Sequence, residues 1–297
     1  MTKTKSKRKR WLGWSATGII LVVGAFAIMG SGFSGCATFS IDRAEAEERF
    51  RSRGLPPPDF VTVALDEKAL HFVSVGEGDL AVVFVHGSPG SWSAFSRYLM
   101  DPKLKELGRL ISVDRPGFGE SRPLKAEPSL EEQSRQIYEA LSREGVSGNA
   151  ILIGHSLGGP VIARMAADYP EFVRGLILVA PSMDPDLEKR RWYNYAAKFP
   201  LVKWSVSKAW ANSNDEIFPH KKELIELAPL LPEIAAPTIV IQGLDDELVP
   251  PANADYVEAT MTGVQSMSVQ RIEGLNHFVP WRRADLIKAA IEDLAGE

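Results

Sequence analysis

One serine in this chain lies in a sequence context that can make its hydroxyl group a nucleophile. Ser156 is the third residue of the segment GHSLGG at positions 154–159, which directly follows the apolar run Ala150 to Ile153. A strand that turns sharply into a helix strains the residue at the turn, and small neighbours avoid steric clash. The N–H groups of the helix then point at the same spot. The pattern predicts a catalytic serine. The alternative, a glycine-rich turn with an incidental serine, is disfavoured by the flanking strand and helix.

This arrangement resembles the nucleophile turn of the α/β-hydrolase superfamily, and the resemblance covers roughly residues 60–295. The segment HGSPG at positions 86–90 looks like that family's oxyanion loop. By this resemblance the backbone N–H groups of Ser88 and Leu157 form an oxyanion hole, in which one donor is worth about 3–4 kcal/mol in barrier height. His86 is then expected to pack its own turn and not to act as the base. The segment DRPGFGES at positions 114–121 is similar to the family's next turn, so we expect it to be structural, with Phe118 as a candidate pocket wall.

The acid of such a site should follow the next-to-last strand. The segment GLDDELVP at positions 243–250 looks like the family's, in which an aspartate stands three residues after a glycine; this selects Asp246. Composition alone leaves Asp245 and Glu247 open, because the three acids are consecutive. Asp184, after the preceding strand, is a lesser candidate, since a triad is defined by geometry and not by position.

The base is expected near the C-terminus. His277 lies in EGLNHF at positions 273–278, after the last predicted strand, and the order Ser156, Asp246, His277 is the order of this fold. Asn276 stands where many relatives have glycine. Other histidines, which compete poorly, lie in an early strand, inside the serine turn and in a helical insertion: His71, His155 and His220.

The resemblance implies ester hydrolysis in two steps through an acyl-enzyme, with no cofactor. Ser156 attacks the carbonyl, His277 accepts its proton, and Asp246 holds the resulting imidazolium. The chain has no H-E-x-x-H or cysteine-rich pattern, so no metal is expected. A serine nucleophile excludes relatives that use aspartate, the epoxide hydrolases and haloalkane dehalogenases. The alternatives are C–C, amide or haloperoxidase-like chemistry in the same fold, or a catalytically idle binding lipoprotein.

The apolar runs around these segments predict the sheet that positions them. Continuous apolar runs alternating with helical segments indicate strands buried on both faces of a mostly parallel sheet. We therefore predict an eight-stranded α/β-hydrolase sheet with helices on both faces. The predicted strands are 60–65, 70–75, 80–85, 110–113, 150–153, 176–179, 238–241 and 267–272, and the predicted helices are 129–143, begun by a capping box, 157–168 and 283–294.

Residues 182–236 interrupt this alternation and predict a helical cap over the serine. The insertion has no strand pattern but is rich in aromatic residues: Trp192, Tyr193, Tyr195, Phe199, Trp204 and Trp210. We expect most of them to pack the cap onto the body. At least one of the three tryptophans should line an apolar pocket for short to medium acyl groups.

The N-terminus carries a targeting pattern. A basic start and an apolar run, Trp11 to Gly30, precede Phe33-Ser34-Gly35-Cys36, which resembles a lipoprotein signal with Phe33 in place of the usual leucine. The resemblance implies lipidation at Cys36 and a catalytic domain held at the cell envelope, outside the cytoplasm. The alternatives are an uncleaved transmembrane helix and a plain secretory signal. We predict a signal and anchor segment at 1–36, a spacer at 37–58, and the hydrolase domain at 59–297.

The charge distribution limits the classes of binding partner that we expect. The net charge is −4, but six of the 34 Lys and Arg residues lie in the first ten positions, which leaves 28 against 38 Asp and Glu. A body this acidic argues against nucleic acid. We expect a small ester-like substrate and membrane attachment; the sequence carries no indication of oligomeric state. Cys36 is the only cysteine, so no intramolecular disulfide can form.

Overall fold

One sheet organises the part of the chain that the computed structural model describes, residues 41–296. Within that range eight strands pair in the order β1-β2-β4-β3-β5-β6-β7-β8. Strand β2 is antiparallel to β1 and β4, and the remaining neighbours are parallel. The strands are β1 Asp59–Leu65, β2 Lys68–Val75, β3 Ala81–Val85, β4 Arg109–Asp114, β5 Ala150–His155, β6 Val173–Val179, β7 Thr238–Gly243 and β8 Met267–Ile272. All eight overlap the predicted runs, and the predicted fold class is confirmed.

Helices cover both faces of this sheet. The central strand β3 is buried along its whole length, and its alternate residues enter two different apolar layers: Val83 and Val85 on one face, Val82 and Phe84 on the other. The helices are α1 Arg43–Arg51, α2 Ser96–Leu99, α3 Pro102–Leu107, α4 Leu130–Arg143, α5 Gly158–Asp168, α6 Trp192–Ala196, α7 Pro200–Ser205, α8 Lys208–Ile217, α9 His220–Leu227, α10 Ala252–Thr260, α11 Val279–Arg282 and α12 Ala284–Gly296. Helices α4, α5 and α10 pack in the first layer, and α1, α2 and α12 in the second.

Helix α4 begins at the predicted cap. The Ser129 hydroxyl accepts the backbone N–H of Glu132 at 3.2 Å. The Glu132 carboxylate does not close the box, because it bonds Lys68 at 2.7 Å and Arg135 at 2.8 Å instead. These ion pairs, and the Arg135 hydrogen bond first among them, hold the pKa of Glu132 down at about 2.

The compact body starts earlier in the chain than the expected boundary at residue 59. Helix α1 is capped by Asp42, whose carboxylate accepts the N–H of Glu45 at 2.8 Å. Its Ala46 and Phe50 are buried in the second apolar layer, and burial of one such aromatic side chain contributes about 1.5–3 kcal/mol. Part of the segment expected to be a spacer therefore packs on the sheet. Cys36 and the expected signal segment lie outside the described residues, and none of the helices in the described range is long and apolar enough to cross a bilayer.

The insertion after β6 is helical, as predicted: within residues 182–236 the structure contains α6 to α9 and a short 3₁₀ helix, Ala228–Glu233, and no strand. The expectation that most of its aromatic residues are buried between cap and body was wrong. Trp204 is 89% exposed, so it neither packs the cap onto the body nor lines an enclosed pocket, and Trp192 and Trp210 are 63% and 49% exposed. Other residues of the insertion supply its apolar contact with the body: Met183, Leu224, Leu227, Leu231 and Ile234 are buried in the first apolar layer.

Candidate active site

The serine turn has the strained geometry that its glycines predict. Ser156 has φ +54°, in the left-handed region that non-glycine residues rarely adopt. Its N–H donates to the Val179 carbonyl of the neighbouring strand β6 at 2.9 Å. A Cβ on Gly154 would lie 2.4 Å from the Gly158 oxygen, and a Cβ on Gly158 would lie 2.3 Å from the Val85 oxygen. Both glycines are therefore required for steric reasons, and the turn is locked against β3 and β6.

A buried aspartate orients the predicted base. The Asp246 Oδ2 lies 2.7 Å from His277 Nδ1, and its Oδ1 accepts the N–H groups of Leu248 and Val249 at 2.9 and 2.8 Å. Two fixed donors on one oxygen hold the other toward the imidazole. This bond makes Nδ1 the protonated nitrogen and leaves the lone pair on Nε2.

The structure distinguishes among the acids that the sequence left open. The neighbours of Asp246, Asp245 and Glu247, are exposed. Asp184 caps its own turn, because its Oδ1 accepts the N–H of Asp186 at 2.8 Å. Of the four candidates, Asp246 is the carboxylate that contacts His277.

His155 joins the histidine loop to the serine turn. It precedes Ser156, its ring centroid lies 4.7 Å from that of His277, and its Nε2 lies 3.0 Å from the His277 carbonyl oxygen. Burial, and next the nearby His277, lower the pKa of His155 to about 3. The ring is therefore neutral, and its Nε2–H donates to the carbonyl of His277. This places the His277 loop beside Ser156 at the carboxyl edge of the sheet.

The predicted oxyanion loop packs directly on the serine. A Cβ on Gly87 would lie 2.9 Å from the Ser156 Cβ, so only glycine fits. The next residue, Ser88, donates its hydroxyl to Ser213 of the cap at 2.8 Å. Leu157, the other predicted donor, is the N-cap residue of α5. Among residues 41–296, no protein acceptor takes the N–H of Ser88 or of Leu157.

His86 packs its turn, as expected. It is 1% exposed; its Nδ1 lies 2.7 Å from the Gly87 oxygen, and its Nε2 accepts the N–H of Arg115 at 3.0 Å. Burial, and next the Arg115 charge, lower the pKa of His86 well below its ordinary value. A neutral ring with both nitrogens occupied fixes the loop and cannot serve as the base.

Arg115 is the part of the site that the sequence analysis missed. Its fully buried guanidinium donates to the carbonyl oxygens of His86 and Gly87 at 2.8 and 2.9 Å, and to Gln133 at 2.7 Å. It also forms a bidentate pair with Glu216 of helix α8, at 2.8 and 2.9 Å. One side chain thus ties the oxyanion loop to the cap. The position of Arg115 directly after a buried strand could have indicated its role from the sequence. Nothing in the cap sequence identified Glu216 as its partner.

The comparisons with known proteins agree with this fold. A family model described as the α/β hydrolase fold matches residues 81–203. A 2-hydroxy-6-oxononadienedioate/2-hydroxy-6-oxononatrienedioate hydrolase of a Pseudomonas species is 25% identical over 256 residues, which are 73% of this chain and 88% of the relative. The bifunctional epoxide hydrolase 2 of Sus scrofa is 42% identical over 110 residues, 36% of this chain and 19% of that protein.

Solved structures with the same architecture span most of the chain. MGS-M2, an α/β hydrolase enzyme from a deep-sea metagenome library, superposes with a TM-score of 0.66 at 18% identity and covers 80% of this chain and 98% of its own. A bacterial membrane phospholipase A superposes with a TM-score of 0.64 at 22% identity and covers 95% and 98%. At these identities the likeness shows the fold alone. The chain has the α/β-hydrolase fold, and its relatives in sequence include hydrolases.

Proposed function

We propose that this protein is a serine hydrolase that cleaves carboxylic esters through an acyl-enzyme. One observation carries the proposal: a buried histidine–aspartate pair, His277 and Asp246, lies at the same sheet edge as a serine in strained left-handed geometry. A nucleophile, a base and a group that orients the base are the three parts of such a site.

The proposed reaction has two steps. As the Ser156 oxygen attacks the ester carbonyl, its proton passes to Nε2 of His277, and Asp246 stabilises the imidazolium. The imidazolium then returns the proton to the leaving alcohol, so the C–O bond breaks and an acyl-serine ester remains. Water attacks that ester in the same way, and the carboxylic acid leaves. No other reactant is required.

The N–H groups of Ser88 and Leu157 are proposed to bind the oxyanion of each tetrahedral intermediate. Two features support this role: neither amide donates to a protein acceptor in the described range, and the loop that carries Ser88 packs on Ser156 through Gly87. Each such donor lowers the barrier by roughly 3–4 kcal/mol.

A second candidate is hydrolysis of a carbon–carbon bond beside a ketone. Relatives with 25% identity are named for a 6-oxo dioate, a type of compound with two carboxylates and no ester bond. In the described range Arg115 is the one Lys or Arg residue that the fold buries, and the Glu216, Gln133 and carbonyl bonds occupy its donors. Without a free buried cation for a carboxylate, we place ester cleavage first.

Labelling with a fluorophosphonate probe tests the nucleophile, and a substrate panel tests the reaction. The wild-type chain should label and turn over short esters faster than amides, thioesters or a 6-oxo dienedioate. Ser156→Ala should lose both labelling and turnover, whereas Ser205→Ala, at an exposed serine of the cap, should keep both. Labelling that persists in Ser156→Ala would overturn the assignment. Fastest turnover of the dienedioate would favour the second candidate.

We also propose that residues 1–36 attach the protein to a membrane, with lipidation at Cys36 and the catalytic domain outside the cytoplasm. The basic start, the apolar run Trp11 to Gly30 and the small residues before Cys36 support the proposal. A clickable fatty-acid analogue should label the wild-type protein and not Cys36→Ser. If the wild type takes up no label and retains residues 11–30, the attachment is a transmembrane helix.

A further inference from the structure

The outer surface of the cap, residues 189–210, exposes several large aromatic side chains to solvent. Trp204, Phe199 and Tyr195 are 89%, 66% and 51% exposed. They lie on or beside the short helices α6 and α7. Large exposed apolar groups this close together indicate a contact surface for another body.

The charge of this segment is opposite to that of the rest of the protein. Residues 189–210 contain six basic residues and no acidic one, in a body in which acids outnumber bases. Lys203 is paired with Asp215 at 2.6 Å and the Lys198 ammonium lies 3.2 Å from the Phe218 ring centroid, whereas Lys189 and Lys208 are exposed. Exposed Trp, Tyr and Phe interleaved with Lys and Arg are typical of segments that lie in the interface of an anionic bilayer.

The point where the chain enters the body lies toward the same edge of the sheet as the cap. The Arg43 guanidinium lies 4.4 Å from the Phe60 ring centroid, and that ring contacts Trp92 at 5.8 Å. The Trp92 N–H donates to Asp114 at the carboxyl end of β4, at 2.7 Å. Four residues separate Cys36 from Ile41, and these five residue-to-residue steps span at most about 18 Å. A lipid anchor at Cys36 would therefore hold this side of the body close to a bilayer.

We propose that the outer surface of the cap docks on an anionic lipid surface. The proposal rests on the membrane attachment proposed above and adds to it a second, non-covalent contact. The aromatic side chains enter the headgroup region, and the lysines and arginines pair with anionic headgroups. The catalytic edge under the cap then lies next to the membrane.

Photo-crosslinking of the full chain tests this contact. The variant Trp204→p-benzoylphenylalanine keeps an aromatic ring at the most exposed position of the surface. The control, Glu292→p-benzoylphenylalanine, lies on α12, whose Leu294 carbonyl accepts from Arg174 at 2.9 Å, at the amino end of β6. The cap follows the carboxyl end of β6, so the two probes lie toward opposite edges of the sheet. Each variant is reconstituted in phosphatidylethanolamine–phosphatidylglycerol vesicles, sedimented, and irradiated.

We expect a lipid adduct at position 204 at least about fivefold above that at 292, the change that one basic residue at an anionic surface produces. A dimer adduct, or an adduct to residues 1–40 of the same chain, would overturn the proposal by identifying a protein occupant. Equal lipid yields at the two positions in a sedimenting protein would also overturn it. Protein that fails to sediment contradicts the attachment itself, and the docking with it.

A charge variant gives an independent measurement. Lys189→Gln with Lys208→Gln should lower the lipid adduct at position 204 by about fivefold for each lysine in anionic vesicles, and should change nothing in phosphatidylcholine vesicles. The matched control Lys103→Gln, on α3, should have no effect in either. Equal adduct yields at position 204 with and without the two lysine substitutions in anionic vesicles would refute the electrostatic contact.

Discussion

Two buried histidine–aspartate pairs in this protein have nearly the same geometry and different surroundings. The Nδ1–Oδ2 distance is 2.7 Å in His277–Asp246 and 2.8 Å in His71–Asp114. Both aspartates also accept two backbone N–H groups, from residues 248 and 249 in the first pair and from residues 92 and 120 in the second. Distance and burial alone therefore do not separate a catalytic pair from a structural one.

The elements next to each pair make the difference. His71 lies inside the sheet, opposite Asp114 across β2 and β4, and its Nε2 has no partner within residues 41–296. A Cβ on Gly119 would lie 2.0 Å from the Asp114 carboxylate, so that carboxylate shapes the 114–121 turn. His277 lies after the last strand and beside the serine turn. A histidine–aspartate pair can act as a proton acceptor in catalysis only beside a nucleophile, and of the two pairs His277–Asp246 is the one whose loop packs on the serine turn, through His155.

Replacing each histidine in turn should give the largest difference in effect between the two pairs. His277→Gln should lower kcat by roughly 10⁴–10⁶-fold, because triad members act as a unit. His71→Gln should keep activity within about tenfold of wild type and lower stability by about 1–3 kcal/mol, since Asp114 loses a buried partner. Ester turnover and urea unfolding of both variants check this. A loss of turnover in His71→Gln as large as that in His277→Gln would show that the pairs are not functionally distinct.

The aspartates give the next largest contrast. Asp246→Asn should reduce kcat by about 10⁴-fold, because an amide favours the wrong imidazole tautomer. Asp245→Asn, one residue away and exposed, is the matched control and should change kcat less than about threefold, as surface substitutions usually do. Steady-state kinetics at saturating ester measure both. The reverse ranking would move the acid to Asp245, and a dominant loss in Asp184→Asn would move it to the preceding strand.

The serine turn, the aspartate segment and the C-terminal histidine were predictable because each is a local pattern next to a strand. Five or six residues of sequence contain the strand end, the glycines and the functional side chain. The eight strands were predictable for the same reason, since buried parallel strands are continuous apolar runs. The catalytic roles of these residues remain predictions.

The cap was predictable as helical but not in its orientation. Arg115 and Glu216 are 101 positions apart, and no local pattern links them. The aromatic residues were expected inside, because burial of aromatics is the usual outcome, yet Trp204 faces outward. The polar face of α8, which carries Asn212, Ser213, Asn214 and Glu216, is buried instead. The orientation of helix α8 thus follows a buried ion pair, and sequence periodicity does not show which face of a helix meets a charged partner.

That ion pair allows a third comparison, with a smaller expected effect on rate. Glu216→Gln should destabilise the protein by about 3–5 kcal/mol, because it leaves the buried Arg115 charge without its partner. It should also raise KM or lower kcat, since Arg115 holds the oxyanion loop. The double variant Arg115→Met, Glu216→Leu should recover much of the stability, because no charge is then buried alone. Urea unfolding measures the first effect and ester kinetics the second. Recovered stability with unimpaired kinetics would limit Arg115 to a structural role.

The smallest effect concerns His155, a buried histidine that has no carboxylate partner within residues 41–296. Its pKa is about 3 in the folded protein because burial opposes its charge, against about 6.5 in an unfolded chain. As pH falls below 6.5, the unfolded chain binds a proton that the folded chain does not, so the free energy of unfolding decreases. The contribution of this site is complete above pH 6.5 and declines by about 1.4 kcal/mol per pH unit toward pH 3.

Between pH 7.5 and 5.0 the wild type should lose about 2 kcal/mol more than His155→Gln, whose amide can still donate to the His277 carbonyl but does not titrate. Urea unfolding of the detergent-solubilised full chains at the two pH values measures this difference. The contributions of the titrating groups that both proteins share cancel when the two losses are subtracted. Equal losses of unfolding free energy in the two proteins would mean that His155 becomes protonated in the folded protein, next to His277. A neutral His155 ring would then not be required to hold the histidine loop against the serine turn.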